Sequence, residues 1–205
     1  MLGLPKSTEI NKPLPKKAIF DRFKPNTDDR KLFDEQISRL TIAEEISPQT
    51  VNITASTDVA SIYIILVTLK TAECHKKNIA LLSKLIEQKM LFVLQYKDFA
   101  RLAVYRSEKV LISVGKPVGE WKLALSGLDL GVMWKNIIAE VGGIDLSCSK
   151  DLDDAIAEKD RREKLQRQIT AFEKKAMSER QPRRKWELAE KVKRLKKELE
   201  DNPHE

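Results

Sequence analysis

Three residues have the types and spacing that a metal-dependent nuclease uses. Asp58 precedes an apolar, strand-like run, and Glu87 and Lys89 form a Glu-x-Lys triplet beside the run Met90 to Tyr96. In such enzymes carboxylates hold a divalent ion and a lysine stabilises charge at the scissile phosphate. The surrounding pattern argues for something simpler. Glu87 is expected at the end of a helix, and with 34% charged residues a Glu and a Lys two apart recur by chance. The triplet therefore reads first as a solvated helix terminus, with Asp58, Glu87 and Lys89 as an alternative catalytic set.

Other chemistries find less support. Two cysteines (Cys74, Cys148) and two histidines (His75, His204) cannot supply a four-ligand zinc site without carboxylates, and they make no disulfide framework. Cys74 and His75 adjoin in sequence, which does not bring their side chains together, so a loop cysteine beside a surface histidine is expected instead of a nucleophile. Gly115-Lys116 lacks the upstream glycine and the following Ser or Thr of a phosphate-cradling loop, and no Gly-x-Ser-x-Gly elbow is present. No metal or cofactor is implied. The N-terminal residues carry no apolar stretch of the secretory type, and the longest apolar run, near Ala60 to Leu69, is far below the ~20 residues that span a bilayer. A soluble, cytoplasmic protein without membrane association is expected.

Charge is the strongest physical signal. The formal net charge is +7, yet residues 161–200 alone hold 15 Lys and Arg against 7 Glu, a net +8. Such a surface attracts polyanions, because each neutralised phosphate releases condensed counterions. The candidate phosphate contacts are Lys174, Lys175, Arg180, Arg183, Arg184, Lys185, Lys193 and Arg194. The competing reading is a solvated or protein-facing coiled coil supported by pairs such as Glu187 with Lys191 and Glu190 with Arg194. Base stacking is not expected, since Phe172 lies on an apolar seam and only Trp186 is free to interleave.

These residues need elements to position them. Residues 1–27 read as a proline-rich, extended arm anchored through Leu14, Ile19, Phe20 and Phe23. The spacing after Asn26-Thr27-Asp28-Asp29 predicts a helix over 28–40. Strands are predicted at Leu40 to Ile46, Thr50 to Thr54 and Val59 to Leu69, the last too apolar to be half-exposed. A helix from Asn78 to Gln88 should run into a buried strand at Met90 to Tyr96, followed by a hairpin of Arg101 to Arg106 with Lys109 to Val114. A helix at Leu128 to Val141 should stop at Gly142-Gly143. The fold class is α/β (α+β): a mixed-sheet domain over 28–145, with a basic amphipathic helical hairpin over 150–201. In that hairpin Leu165, Ile169, Phe172 and Ala176 share a 4-3-4 spacing with Leu188, Val192, Leu195 and Leu199, and Gln181-Pro182 interrupts the two runs. Each seam is only about two heptads long, so the helices must pack on something.

The motifs Gly3-Leu4-Pro5-Lys6-Ser7-Thr8, Leu14-Pro15-Lys16-Lys17, Ile42 to Thr50, Asn78 to Tyr96, Ala100 to Tyr105, Trp134 to Ile138 and Glu179 to Lys185 together carry a resemblance. The chain resembles, over nearly its whole length, the bacterial family catalogued as domain of unknown function 4391. Members of such a family tend to be encoded beside helicases and DNA methyltransferases of restriction-like or phage-defence clusters. The resemblance implies an accessory defence protein with a helicase or methyltransferase as partner and DNA as ligand. It carries over no catalytic residue. A non-enzymatic accessory subunit is the leading expectation, with a nuclease component or a purely structural coiled-coil adaptor as alternatives.

Overall fold

A computed structural model describes residues 2–84, 87–145 and 151–200. Leu85, Ile86, Cys148 and His204 lie outside the described residues. The chain divides into two compact units, Met1–Gly143 and Ile144–Glu205.

The first unit is a seven-stranded mixed sheet with short helices. β1 (Glu9–Pro13) is an edge strand antiparallel to β2 (Ile37–Ile46), which is antiparallel to β3 (Ile62–Leu69). The crossover helix α4 (Lys76–Leu82) brings β4 (Lys89–Tyr96) back parallel to β3, with Ile62 opposite Lys89 and Thr68 opposite Gln95. β5 (Phe99–Arg106) and β6 (Lys109–Ile112) follow as antiparallel neighbours, and β7 (Lys116–Pro117) pairs with the start of β5. β3 and β4 are central and buried on both faces, which explains their near-continuous apolar sequence.

Alternation along the strands sorts two layers. Ile65, Val67, Leu69, Met90, Phe92, Leu94 and Ala103 cluster with residues of α1 (Lys16–Phe23), α2 (Thr27–Gln36) and α4. Within that cluster Phe20 and Phe33 meet edge to face, with ring centroids 5.4 Å apart. The opposite face carries Ile62, Ile64, Leu91, Val93, Leu102 and Val104, all buried. Helix α5 (Leu130–Gly142) contacts β5 and β6. Asp129 caps it by accepting the Val132 N–H at 2.8 Å, and Gly143 ends it in the left-handed conformation with φ 57°.

Several expectations need correction. The Leu2 to Pro25 stretch is not simply extended. Pro15 is the N-cap of α1, and Lys24 closes that helix in a left-handed conformation just before Pro25, so the prolines delimit a helix. Ile19 and Phe20 are nevertheless buried as expected. The helix predicted over 28–40 ends at Gln36, because Ile37 to Leu40 pair with β3. The predicted strand Thr50 to Thr54 is instead the helical turn α3 (Pro48–Val51), where Ser47 and Thr50 form a reciprocal capping box; Thr54 makes only an isolated bridge to Asp129. Helix α4 stops at Leu82, so Glu87 lies in a bend immediately ahead of β4 and not at a helix end.

The second unit is two helices, α6 (Leu152–Ser178) and α7 (Pro182–Glu200), which pack against each other as a hairpin. Among the described residues no helix is long and apolar enough to cross a membrane.

Phe33 is fully buried and anchors α2 to the sheet. Phe33→Ala should lower unfolding stability by about 3–5 kcal/mol, the range for removing a buried aromatic ring. Urea titration followed by circular dichroism checks it, and a decrease below about 1 kcal/mol would show that this ring does not organise the core.

Candidate nucleic-acid interface

The hairpin is assembled from sparse apolar contacts and a few charges. Ile169 is 1% exposed and Val192 9%, whereas Leu165, Phe172, Ala176, Leu188, Leu195 and Leu199 on the same seams are half-buried. Lys191 sits over the Phe172 ring at 4.3 Å. Cross-helix ion pairs join Arg161 to Glu198 at 3.1 Å and Lys196 to Glu173 at 2.9 Å. Pro182 opens α7, where its missing N–H costs nothing. The turn is fixed by the Gln181 N–H donating to the Glu179 carboxylate at 2.9 Å.

Of the eight candidate phosphate contacts, Arg183 reaches a carboxylate, Glu187 at 3.4 Å, and Lys175 lies 5.8 Å from the Phe172 ring centroid. Lys174, Arg180, Arg184, Lys185, Lys193 and Arg194 make no ion pair among the described residues. The pairs expected from spacing, Glu187 with Lys191 and Glu190 with Arg194, do not form. Glu187 turns to Arg183, and Lys191 is drawn across the seam to Phe172. Most of the positive charge is therefore uncompensated and concentrated around the turn and along α7. A surface of this kind attracts polyanions.

The nuclease candidates lie in the other unit. Asp58 occupies the turn ahead of β3, and Glu87 the bend ahead of β4, so the parallel pairing places both near the same end of the sheet. Glu87 and Lys89 line one cavity of about 300 Å³, together with Lys84, Gln88, Tyr105 and Trp134; Asp58 is not among its lining residues. Among the described residues no three His, Cys, Asp or Glu come close enough to share a metal ion. The aromatic wall of Tyr105 and Trp134 was not legible in the sequence, since neither residue adjoins the triplet in the chain.

A second, more apolar cavity of about 260 Å³ lies near the carboxyl ends of β3 and β4, lined by Leu69, Cys74, Leu94, Tyr96, Phe99 and Arg101 among others. Burial pushes the Cys74 thiol up to about 11, only partly offset by a hydrogen bond with Asn78. Its burial favours the neutral thiol at neutral pH. His75 is occupied as the N-cap of α4, its Nδ1 accepting the Lys77 N–H at 3.2 Å.

Fold and site together define a mixed-sheet α/β protein that carries a basic helical hairpin. The family model described as Domain of unknown function (DUF4391) matches residues 2–199, and the chain belongs to that family. No curated protein and no solved structure matches it.

The raised Cys74 pKa predicts slow alkylation. In a Cys148→Ser variant at pH 8, Cys74 should react with a thiol reagent roughly a hundredfold more slowly in the folded protein than in urea, because the thiolate fraction falls by about that factor. The neutral thiol favours the fold below about pH 9, and this contribution fades as pH rises toward 11. Equal rates in folded and unfolded protein would place Cys74 in solvent.

Proposed function

We propose that this protein is a non-enzymatic accessory subunit of a cytoplasmic, DNA-targeting restriction-like or phage-defence assembly. In this reading the α/β unit docks on a helicase or DNA methyltransferase, and the hairpin holds DNA through its phosphates without reading sequence. The observation that carries it is the set of six cations without ion pairs on α6, α7 and the turn between them, in a segment of net +8. Exposed helical ion pairs contribute ~0–1 kcal/mol each, so a hairpin built only for stability would gain more from balanced charge than from this excess. The resemblance supplies the partner class, and tagged protein recovered from its native host should bring a helicase or methyltransferase with it.

Two experiments separate this reading from its rivals. Replacing Arg180, Arg183, Arg184 and Lys185 by Ala should weaken duplex binding and flatten the slope of log affinity against log salt by roughly 0.9 for each phosphate that is no longer neutralised. The weakening should be the same for every duplex sequence, since phosphate contacts position without specifying. An unchanged slope would remove these residues from the interface and favour the structural adaptor.

A nuclease reading draws on one observation, that Glu87 and Lys89 share a cavity. Under the accessory reading DNA stays intact with Mg²⁺ or Mn²⁺ present, with or without the partner. Cleavage by the wild-type protein that disappears in a folded Glu87→Ala variant would establish an enzyme.

A further inference from the structure

The chain has three tryptophans, and two are fully employed. Trp121 is 5% exposed, its indole N–H donates to the Ala100 carbonyl at 3.0 Å, and Lys116 lies over its ring at 4.8 Å. Trp134 is 3% exposed. Trp186, on the second turn of α7, is 66% exposed. It makes no hydrogen bond or ring contact among the described residues. Single exposed apolar side chains are common, as Leu128 and Met177 are here, so the indole marks a site only if its setting supplies a reason.

Seam packing does not supply one. Trp186 precedes Leu188 by two residues, about 200° around the helix, and so points away from the face that meets α6. The helical period puts Arg183 one turn before it on the same outer face, with Lys193 and Lys197 two and three turns after. Glu190 and Glu200 are the carboxylates on that stripe, and Lys193 and Lys197 make no ion pair among the described residues. A flat aromatic ring between cations on a straight helix matches alternating bases and phosphates.

Against the expectation from sequence that no base stacks here, we propose that Trp186 is a base-stacking platform, and that the ligand of the hairpin is DNA presenting an unpaired base, as a single strand or a tailed end, in preference to continuous duplex. The inference rests on the hairpin being a phosphate-binding element and adds what it selects. Inside a duplex both faces of every base are covered by its neighbours, so a projecting indole finds a partner only where stacking is interrupted. Stacking also tolerates any sequence, because every base has a π face. The same residue types occur on helices that lie in anionic membranes, but such helices turn a broad apolar face to the lipid. The apolar face of α7 is spent on α6, which leaves one aromatic ring outward and favours nucleic acid.

The test uses full-length protein with three fluorescently labelled DNAs at one salt concentration: an oligo-dT single strand, a blunt duplex and a duplex with a single-stranded tail. The wild-type protein should bind the single strand and the tailed duplex at least about fivefold more tightly than the blunt duplex. Trp186→Ala should lower single-strand affinity roughly tenfold and leave blunt-duplex affinity within about twofold, with helicity unchanged; Trp186→Phe should retain most of the preference. Blunt-duplex binding with normal salt dependence and no preference would overturn the stacking inference alone. No binding to any of the three DNAs would overturn the phosphate reading with it. Trp186-dependent binding to phosphatidylglycerol vesicles without DNA binding would replace both with a membrane surface.

Discussion

Two helices that carry net charges of +1 (α6) and +4 (α7) repel each other, and whatever keeps them side by side determines how the cations of the hairpin are arranged. At physiological salt the screening length is ~8 Å, comparable to the spacing of packed helices, so the repulsion is weakened but not abolished. Against it stand Ile169 and Val192 buried at the contact, the half-buried residues of the two seams, and two cross-helix ion pairs made by the C-terminal part of α7. Lys191 shows how tightly this is drawn: its ammonium is folded over Phe172, converting a repulsive charge into a contact that shields the seam. The seams therefore set the positions of the remaining cations, which would otherwise belong to two unrelated, marginal helices.

The α/β unit solves a different problem. A parallel pair needs a crossover, and the crossover here is short, with α4 only seven residues long. Because both faces of β3 and β4 must be covered, the N-terminal segment is recruited: α1 contributes Ile19 and Phe20 beside Phe33 of α2. The same parallel pairing brings Asp58 and Glu87 to one end of the sheet and the Cys74 cavity to the other. Proximity of that kind follows from topology and is not evidence of catalysis.

This difference in origin explains what the sequence could disclose. β3, β4 and α5 were legible because their apolar pattern is continuous or sharply periodic, and the two C-terminal helices because their spacing repeats around a proline. The Pro48 turn was missed because Thr50 and Val51 favour strands, although Ser47 at the N-cap and Pro48 after it are local helix-start signals. Ile37 and Leu40 fit a helical period with Leu32 and Phe33, yet cross-strand pairing with β3 claimed them. In the hairpin the spacing misassigned the partners of the charges, because Arg183 takes Glu187 and the Phe172 ring across the seam takes Lys191. Which charges are left over is decided by three-dimensional neighbours, and single-helix rules cannot supply it.

The leftover charges are also not of one kind. Near the seam the hairpin uses lysine: Lys175 and Lys191 by Phe172, and Lys196 with Glu173. Their flexible stems lie along apolar surface while the ammonium stays wet. Around the turn it uses arginine, with Arg180, Arg183 and Arg184 clustered in sequence. A guanidinium is planar, permanently charged and weakly hydrated, and it binds phosphate oxygens in pairs as an ammonium does not. Arg183 is held by Glu187 of its own helix, which orients the side chain at little cost in charge, since its side chain remains 92% exposed. Apart from Arg161, which pairs with Glu198, lysines close the hairpin, and arginines together with Lys185 crown its turn; in the proposed reading the phosphate contacts lie at that turn, on the helix that carries Trp186.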